Sequence, residues 1–223
     1  MENDRNNITS KQAMTFILTA QVGVGILSLP ASLAKAVGHD GWICVIGADF
    51  ISIISGILIT FFLKRYPNKS ILEINRLLYG KHIGNFSNYV LVIYTYLLPA
   101  YILRQFTELI KIGILRNTPA IILSFFAMIP SIYLVWYGLK AVCRYGSIFY
   151  FSIATMMILL ILVGKNIRLT FLQPIGEAGL KTIIKGTGTV TLSFLGYELL
   201  SFIYPNIMDK NKITKSTVAA IFL

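Results

Sequence analysis

The sequence predicts an all-α polytopic membrane protein, and three observations carry that expectation. Charged residues make up only 13% of the 223-residue chain, against about a quarter in an ordinary soluble domain. Hydrophobic residues reach 56%, and the mean hydropathy is +0.72. The apolar residues fall in long runs, most of them near the roughly twenty residues that cross a hydrocarbon layer as a helix. A chain this poor in polar side chains cannot cover a water-facing globule, so lipid is the expected solvent. Backbone groups find no water there, and helices satisfy their own. Strand pairs at barrel spacing are not seen.

Six spans are predicted in order. The first is Lys11–Val37 and the second Gly41–Leu63. A polar loop from Lys64 to about Lys81 follows, with short amphipathic character in Ile71–Tyr79. The third span is Ile83–Leu115, the fourth Ala120–Tyr137 and the fifth Ser147–Gly164. A loop with Pro174, Gly176 and Gly179 leads to the sixth, Thr182–Met208. A seventh apolar stretch, Ser216–Leu223, amounts to about two turns, far short of a span. The sequence is therefore expected to be a fragment or a truncated product. The polar Met1–Ser10 carries no cleavage pattern, so the first span is expected to stay in the mature protein. Residues 1–223 read as a single transmembrane domain.

The net charge is +11. In a soluble protein that balance suggests an acidic partner, but here the cations lie between apolar runs, which is the mark of topology and not of nucleic-acid binding. With the N-terminus inside, the inner set is Arg5, Lys11, Lys64, Arg65, Lys69, Arg76, Lys81, Lys140, Arg144, Lys210, Lys212 and Lys215. The outer set is Lys35, Lys111, Arg116, Lys165, Arg168, Lys181 and Lys185. The count of 12 against 7 predicts a cytoplasmic N-terminus. Cys44 and Cys143 have no metal-ligand spacing and read as small buried hydrophobes. His39 and His82 are expected in loops. No nucleophile elbow, paired-His zinc motif or phosphate loop is present, so neither an enzyme nor a cofactor or metal is expected.

Two spans carry interruptions. The first contains Gln21-Val22-Gly23-Val24-Gly25 and then Pro30, residues that weaken a helix. A broken helix in lipid leaves peptide groups unpaired, which is tolerated where they line a cavity. The freed N-terminus of the second half carries partial positive charge and suits a carboxylate. The sixth span contains Ser193-Phe194-Leu195-Gly196-Tyr197-Glu198 and then Pro205. Interruptions at matching places in two five-helix repeats point to a midplane binding site. Close helix packing is the alternative reading of Gly23, Gly25 and Gly196, and helix-end punctuation that of Pro30 and Pro205.

Ionisable residues within the spans need a partner or a wet cavity. Tyr94, Tyr101 and Glu108 recur every seven residues on one face of the third span, and Arg104 sits four before Glu108. They line a substrate path, or Arg104 and Glu108 form a self-satisfied pair near the interface. Glu198 either receives an ammonium or unwound amides, or holds the break together. Asp49 has no partner visible in sequence; it either has a structural role, pairing across helices, or contacts substrate.

Gln21–Pro30 and Ser193–Pro205 resemble the first and sixth helices of the spore germination permease family. Asp40-Gly41-Trp42, Arg65-Tyr66-Pro67, Arg104 with Glu108, and Pro130-Ser131-Ile132-Tyr133 support the resemblance across nearly the whole chain. It implies a LeuT-like inverted-repeat transporter fold of the amino acid–polyamine–organocation superfamily. The first five-helix repeat would occupy about 11–164. The second would begin at about 182–223 and stop after the sixth helix and part of the seventh. It further implies a nutrient-binding subunit of a spore germinant receptor that triggers germination. The site would use Gly23, Val24, Gly25, Tyr94, Tyr101, Phe194, Gly196 and Glu198 for a small germinant, an amino acid foremost. Asp49, Arg104 and Glu108 are the membrane-embedded charges. The implied partners are an A-type membrane subunit, a C-type lipoprotein and the lipid bilayer, with no nucleic acid. The implied location is the inner membrane of the spore or the cell membrane of a spore-forming bacterium. A permease that carries an amino acid or organic cation by alternating access shares the fold and stays open, as does a non-functional remnant.

Overall fold

The computed structural model describes residues 6–23, 25–164, 169–173 and 175–222. Arg5, Lys165 and Arg168 of the topology count lie outside them. The described chain is helical, with one isolated parallel bridge between Ile8 and Ile207. Helix α1 covers Ser10–Gln21 and α2 Gly25–Val37. A 3-10 turn, Gly38–Asp40, leads into α3, Gly41–Lys64. Then come α4, Ile71–Gly113, α5, Ala120–Trp136, and α6, Leu139–Val163. After α7, Leu180–Ser193, the chain continues as a 3-10 turn at Tyr197–Leu199, the short α8, Leu200–Ile203, and a second turn at Tyr204–Asn206. Helix α9 is Ile213–Phe222.

Three helical stretches are long and apolar enough to cross a membrane: Leu29–Lys64, Ile71–Gly113 and Leu139–Leu162. The predicted count of six is not reached on that measure. At 12, 13 and 14 residues, α1, α2 and α7 are each too short alone, because the first and sixth spans are broken in two. Helix α5 has 17 residues and falls just below a span. The outer faces are strongly apolar, with Phe86, Ile121 and Trp136 71%, 78% and 82% exposed. A water-soluble monomer does not present apolar faces so extensive.

Several predicted boundaries move. The fifth span begins at Leu139, eight residues before Ser147, because Gly138 turns the chain (φ 87°) and the helix starts while its side chains are still polar. His82 lies exposed within α4 and not in a loop, whereas His39 lies in the 3-10 turn. Pro30 sits inside α2 and ends nothing; Pro205 falls in a terminal 3-10 turn, as punctuation. The amphipathic Ile71–Tyr79 is a helix capped by Ser70 and Glu73, and it folds back on the rest of α4 at Gly80 (φ 74°). The fold-back is tight: a Cβ on Gly84 would lie 2.7 Å from Arg76 Cα and from the Asn75 carbonyl oxygen.

Helix α3 packs between α7 and α9, α1 packs against α6 and α9, α2 lies on α7, and α4 meets α5. Two apolar clusters result. One gathers Ile8, Ile17, Leu18, Leu63, Cys143, Tyr204 and Ile213; the other gathers Leu33, Val37, Cys44, Ala48 and Val190. Both cysteines are buried and free. An aspartate clamps a loop at each end. Asp209 accepts hydrogen bonds from Ser10 N (2.5 Å) and Ser10 Oγ (2.6 Å), fastening the start of α1 to the segment after the sixth span. Asp40 accepts from the amides of Gly176 (2.6 Å) and Ala178 (2.9 Å), fastening the α2–α3 turn to the approach to α7. Burial pushes the Asp209 carboxyl up, but the bonds from Ser10 outweigh it and hold it below the ordinary carboxylate value.

Candidate functional site: a cavity between two broken helices

The first break is short. The Val22 amide still donates to Leu18 O (2.9 Å), Gly23 turns back onto Gln21 O (2.8 Å), and α2 resumes at Gly25. In the sixth span α7 ends at Ser193 and Phe194 closes its last turn on Val190 O and Thr191 O. Gly196 then takes φ 139°, ψ −32°, a conformation that favours glycine.

The two breaks touch each other. Gln21 Nε2 donates to the Phe194 carbonyl at 2.9 Å. A carbonyl accepts only a donor, so the carboxamide is fixed with Oε1 on the other side, where it is buried and has no hydrogen-bond partner among the described residues. Glu198 folds back on its own break, with Oε2 accepting from the Gly196 amide (2.6 Å) and Oε1 from the Tyr94 hydroxyl (3.2 Å). Each carboxylate oxygen keeps a second acceptor site free.

Around these contacts lies a cavity of 660 Å³, within the range of small-molecule sites. Leu98, Ile102, Leu192, Leu195 and Leu199 form its apolar wall; Thr19, Gln21, Tyr101, Gln105, Ser193 and Glu198 give it polar edges. Glu198 is the one charged side chain among the described residues that line it.

Of the residues expected from sequence, Gly23, Tyr101, Gly196 and Glu198 line this cavity. Tyr94 reaches it through Glu198. Phe194 contributes its carbonyl to Gln21 and packs against the cluster of Leu33, Val37, Cys44, Ala48 and Val190. Gly25 opens α2 behind the lining, and Val24 lies outside the described residues. Arg104 and Glu108 stand apart from the cavity as an i,i+4 pair at 3.6 Å with exposed side chains, so the self-satisfied reading fits them. Asp49 also stands apart. Its Oδ1 is buried with no hydrogen-bond partner among the described residues, in place of a cross-helix pair. Thr19, Gln21, Gln105, Thr189 and Ser193 are polar lining residues that sequence reasoning left out. A lone carboxamide just before a Gly-Val-Gly in an apolar run was the available signal for Gln21.

This is a helical membrane protein in which two interrupted spans meet around a small cavity. The chain matches the family model described as spore germination protein over residues 7–223, and it belongs to that family. Its relatives include spore germination protein B2 of Bacillus subtilis (strain 168), 26% identical over 99% of this chain and 60% of that protein. Spore germination protein A2 of the same organism is 33% identical over 91% of this chain and 56% of its own length. Spore germination protein KB is 25% identical over 98% and 59%. The chain thus spans about three fifths of the length of these relatives. No solved structure matches it.

Proposed function

We propose that this chain is the nutrient-binding membrane subunit, of the B type, of a spore germinant receptor. The observation that carries the reading is the cavity at the meeting of the two breaks, lined by Glu198 and Gln21. The Glu198 carboxylate is an acceptor and suits an ammonium. The free amides at the start of α2 carry partial positive charge and suit a carboxylate. A small amino acid brings both groups, and the leucine wall receives its side chain. Better binding to one of two arrangements of the broken helices shifts their populations. That shift is passed to an A-type membrane subunit and a C-type lipoprotein, the partners that the family resemblance implies. The same reading gives the chain a LeuT-like arrangement, with one repeat over about 11–164 and the next from about 182. Its N-terminus is cytoplasmic in the inner spore membrane.

Direct binding of a nutrient panel to the purified protein in nanodiscs tests this, with Gly25→Leu and Gln21→Leu beside it. Saturable binding of an amino acid that both variants weaken is expected. Variants that bind like the wild type overturn the site. A midspan cavity also serves alternating access, so uptake into liposomes decides between sensor and permease. Saturable uptake of labelled amino acid favours the permease. Loss of a nutrient-specific germination response on deletion, without uptake, favours the sensor.

A further inference from the structure

We propose that one end of the protein carries a binding site for the headgroups of anionic phospholipids. Six cations gather there on two loops. Lys64, Arg65 and Lys69 stand on the α3–α4 junction, and Lys210, Lys212 and Lys215 at the start of α9. The loops lie side by side: Lys210 Nζ donates to Asn68 Oδ1 at 3.2 Å, and Leu63 and Ile213, from the helices the loops join, share one core.

These charges are only partly used inside the protein: Lys212 acts at a distance on Asp209 and Lys69 on Glu73, without a contact ion pair. Five of the six side chains are exposed and Lys210 is half-buried. No carboxylate among the described residues lies within 4.0 Å of any of them. The acidic neighbours are already engaged. Glu73 Oε2 accepts from Ser70 N (2.7 Å) and Ser70 Oγ (3.1 Å), and Asp209 accepts from Ser10.

The surroundings favour a lipid over a soluble anion or an acidic protein. Phe61 and Phe62, in the last turn of α3, are 61% and 37% exposed. The Arg65 guanidinium lies 5.3 Å from the Phe61 ring centroid, and the Lys210 ammonium 5.7 Å from that of Tyr204. Arg65 thus lies along an exposed aromatic ring and Lys210 over the edge of the buried core, the apolar support that snorkelling side chains use at a membrane interface. A phosphate headgroup answers the charges while its acyl chains cover the phenylalanines; a soluble anion leaves them bare. Each basic residue near an anionic surface raises partitioning roughly fivefold.

The test uses the whole chain in nanodiscs of equal phosphatidylglycerol and phosphatidylcholine, extracted gently, with the retained lipids counted by native mass spectrometry. The wild type is expected to retain phosphatidylglycerol in about fivefold excess or more. A Lys64→Gln/Lys69→Gln/Lys212→Gln variant is expected to fall toward parity. Arginine at the same three positions, and Lys181→Gln/Lys185→Gln near the start of α7, are expected to keep the excess. Parity in the wild type, or an undiminished excess in the glutamine variant, overturns the proposal. Excess inorganic phosphate that strips the bound phosphatidylglycerol overturns the lipid assignment in favour of a soluble anion; retention supports it.

Discussion

Gly196 rests directly on the backbone of Gln21: a Cβ built on it would lie 2.9 Å from Gln21 N and 3.1 Å from Ala20 C. The contact joins the two helix breaks, and the φ of 139° excludes most side chains independently. Gly196→Ala is therefore expected to cost about 3 kcal/mol, through strain and overpacking together. Thermal unfolding in detergent measures it. A loss below about 1 kcal/mol would mean that the breaks separate easily and that their contact does not shape the cavity.

Tyr94 and Glu198 give a second prediction. The hydroxyl of Tyr94 and the amide of Gly196 each serve one oxygen of the same carboxylate. Tyr94→Phe removes one donor and is expected to cost about 1 kcal/mol. Glu198→Gln keeps one acceptor oxygen for the Gly196 amide and turns the other into an NH2 whose hydrogen bond the Tyr94 hydroxyl can accept, so it removes the charge and is expected to cost about 1 kcal/mol. Because the pair shares one bond, the double variant is expected to lose less than the sum. Full additivity would show that the charge on Glu198 does not strengthen the bond from Tyr94.

Much of this site was legible in the sequence, and the remainder was not, for a physical reason. Gly23, Gly25 and Gly196 weaken helices wherever they stand, so the positions of the breaks follow from local chain chemistry. What the freed groups bind is not local. Gln21 meets a carbonyl 173 positions away and Tyr94 a carboxylate 104 away, and no periodicity announces such pairs. The Asp40 clamp on Gly176 and Ala178 was hidden in the same way. The number of unbroken spanning helices was not legible, because hydropathy runs straight across a break that the backbone does not. The start of α6 was placed late because Lys140 and Arg144 ride on a helix whose apolar run begins afterwards.

Asp209 supplies a pH dependence. Its folded-state carboxyl value is depressed below the ordinary 3.8, so its contribution to stability is fully present above that value. It is lost as pH falls through the lower folded-state value. Wild-type Tm is therefore expected to decline on acidification below about pH 4, in part through this group. Asp209→Asn offers one acceptor where Ser10 presents two donors. It is expected to lower Tm at neutral pH by the equivalent of about 1–2 kcal/mol and to flatten the acid limb. An acid limb of unchanged depth would assign that loss to other carboxylates.

Asp49 carries the last prediction. It lies within α3, inside a stretch apolar enough to span the membrane. Its Oδ1 is buried and unpartnered, and three residues on the Ser52 hydroxyl is also buried without a partner. A carboxylate oxygen buried without a donor is a cost to the fold, and replacing the residue with an apolar side chain of similar size removes that cost. Asp49→Leu is therefore expected to leave Tm unchanged or to raise it, by the equivalent of about 1 kcal/mol. A germination assay on spores carrying the same variant separates two reasons for keeping such a group. A stabilised protein with a weakened nutrient response marks Asp49 as a functional charge. A clear fall in Tm would instead mean that the carboxylate is satisfied within the membrane and contributes to holding α3 in place.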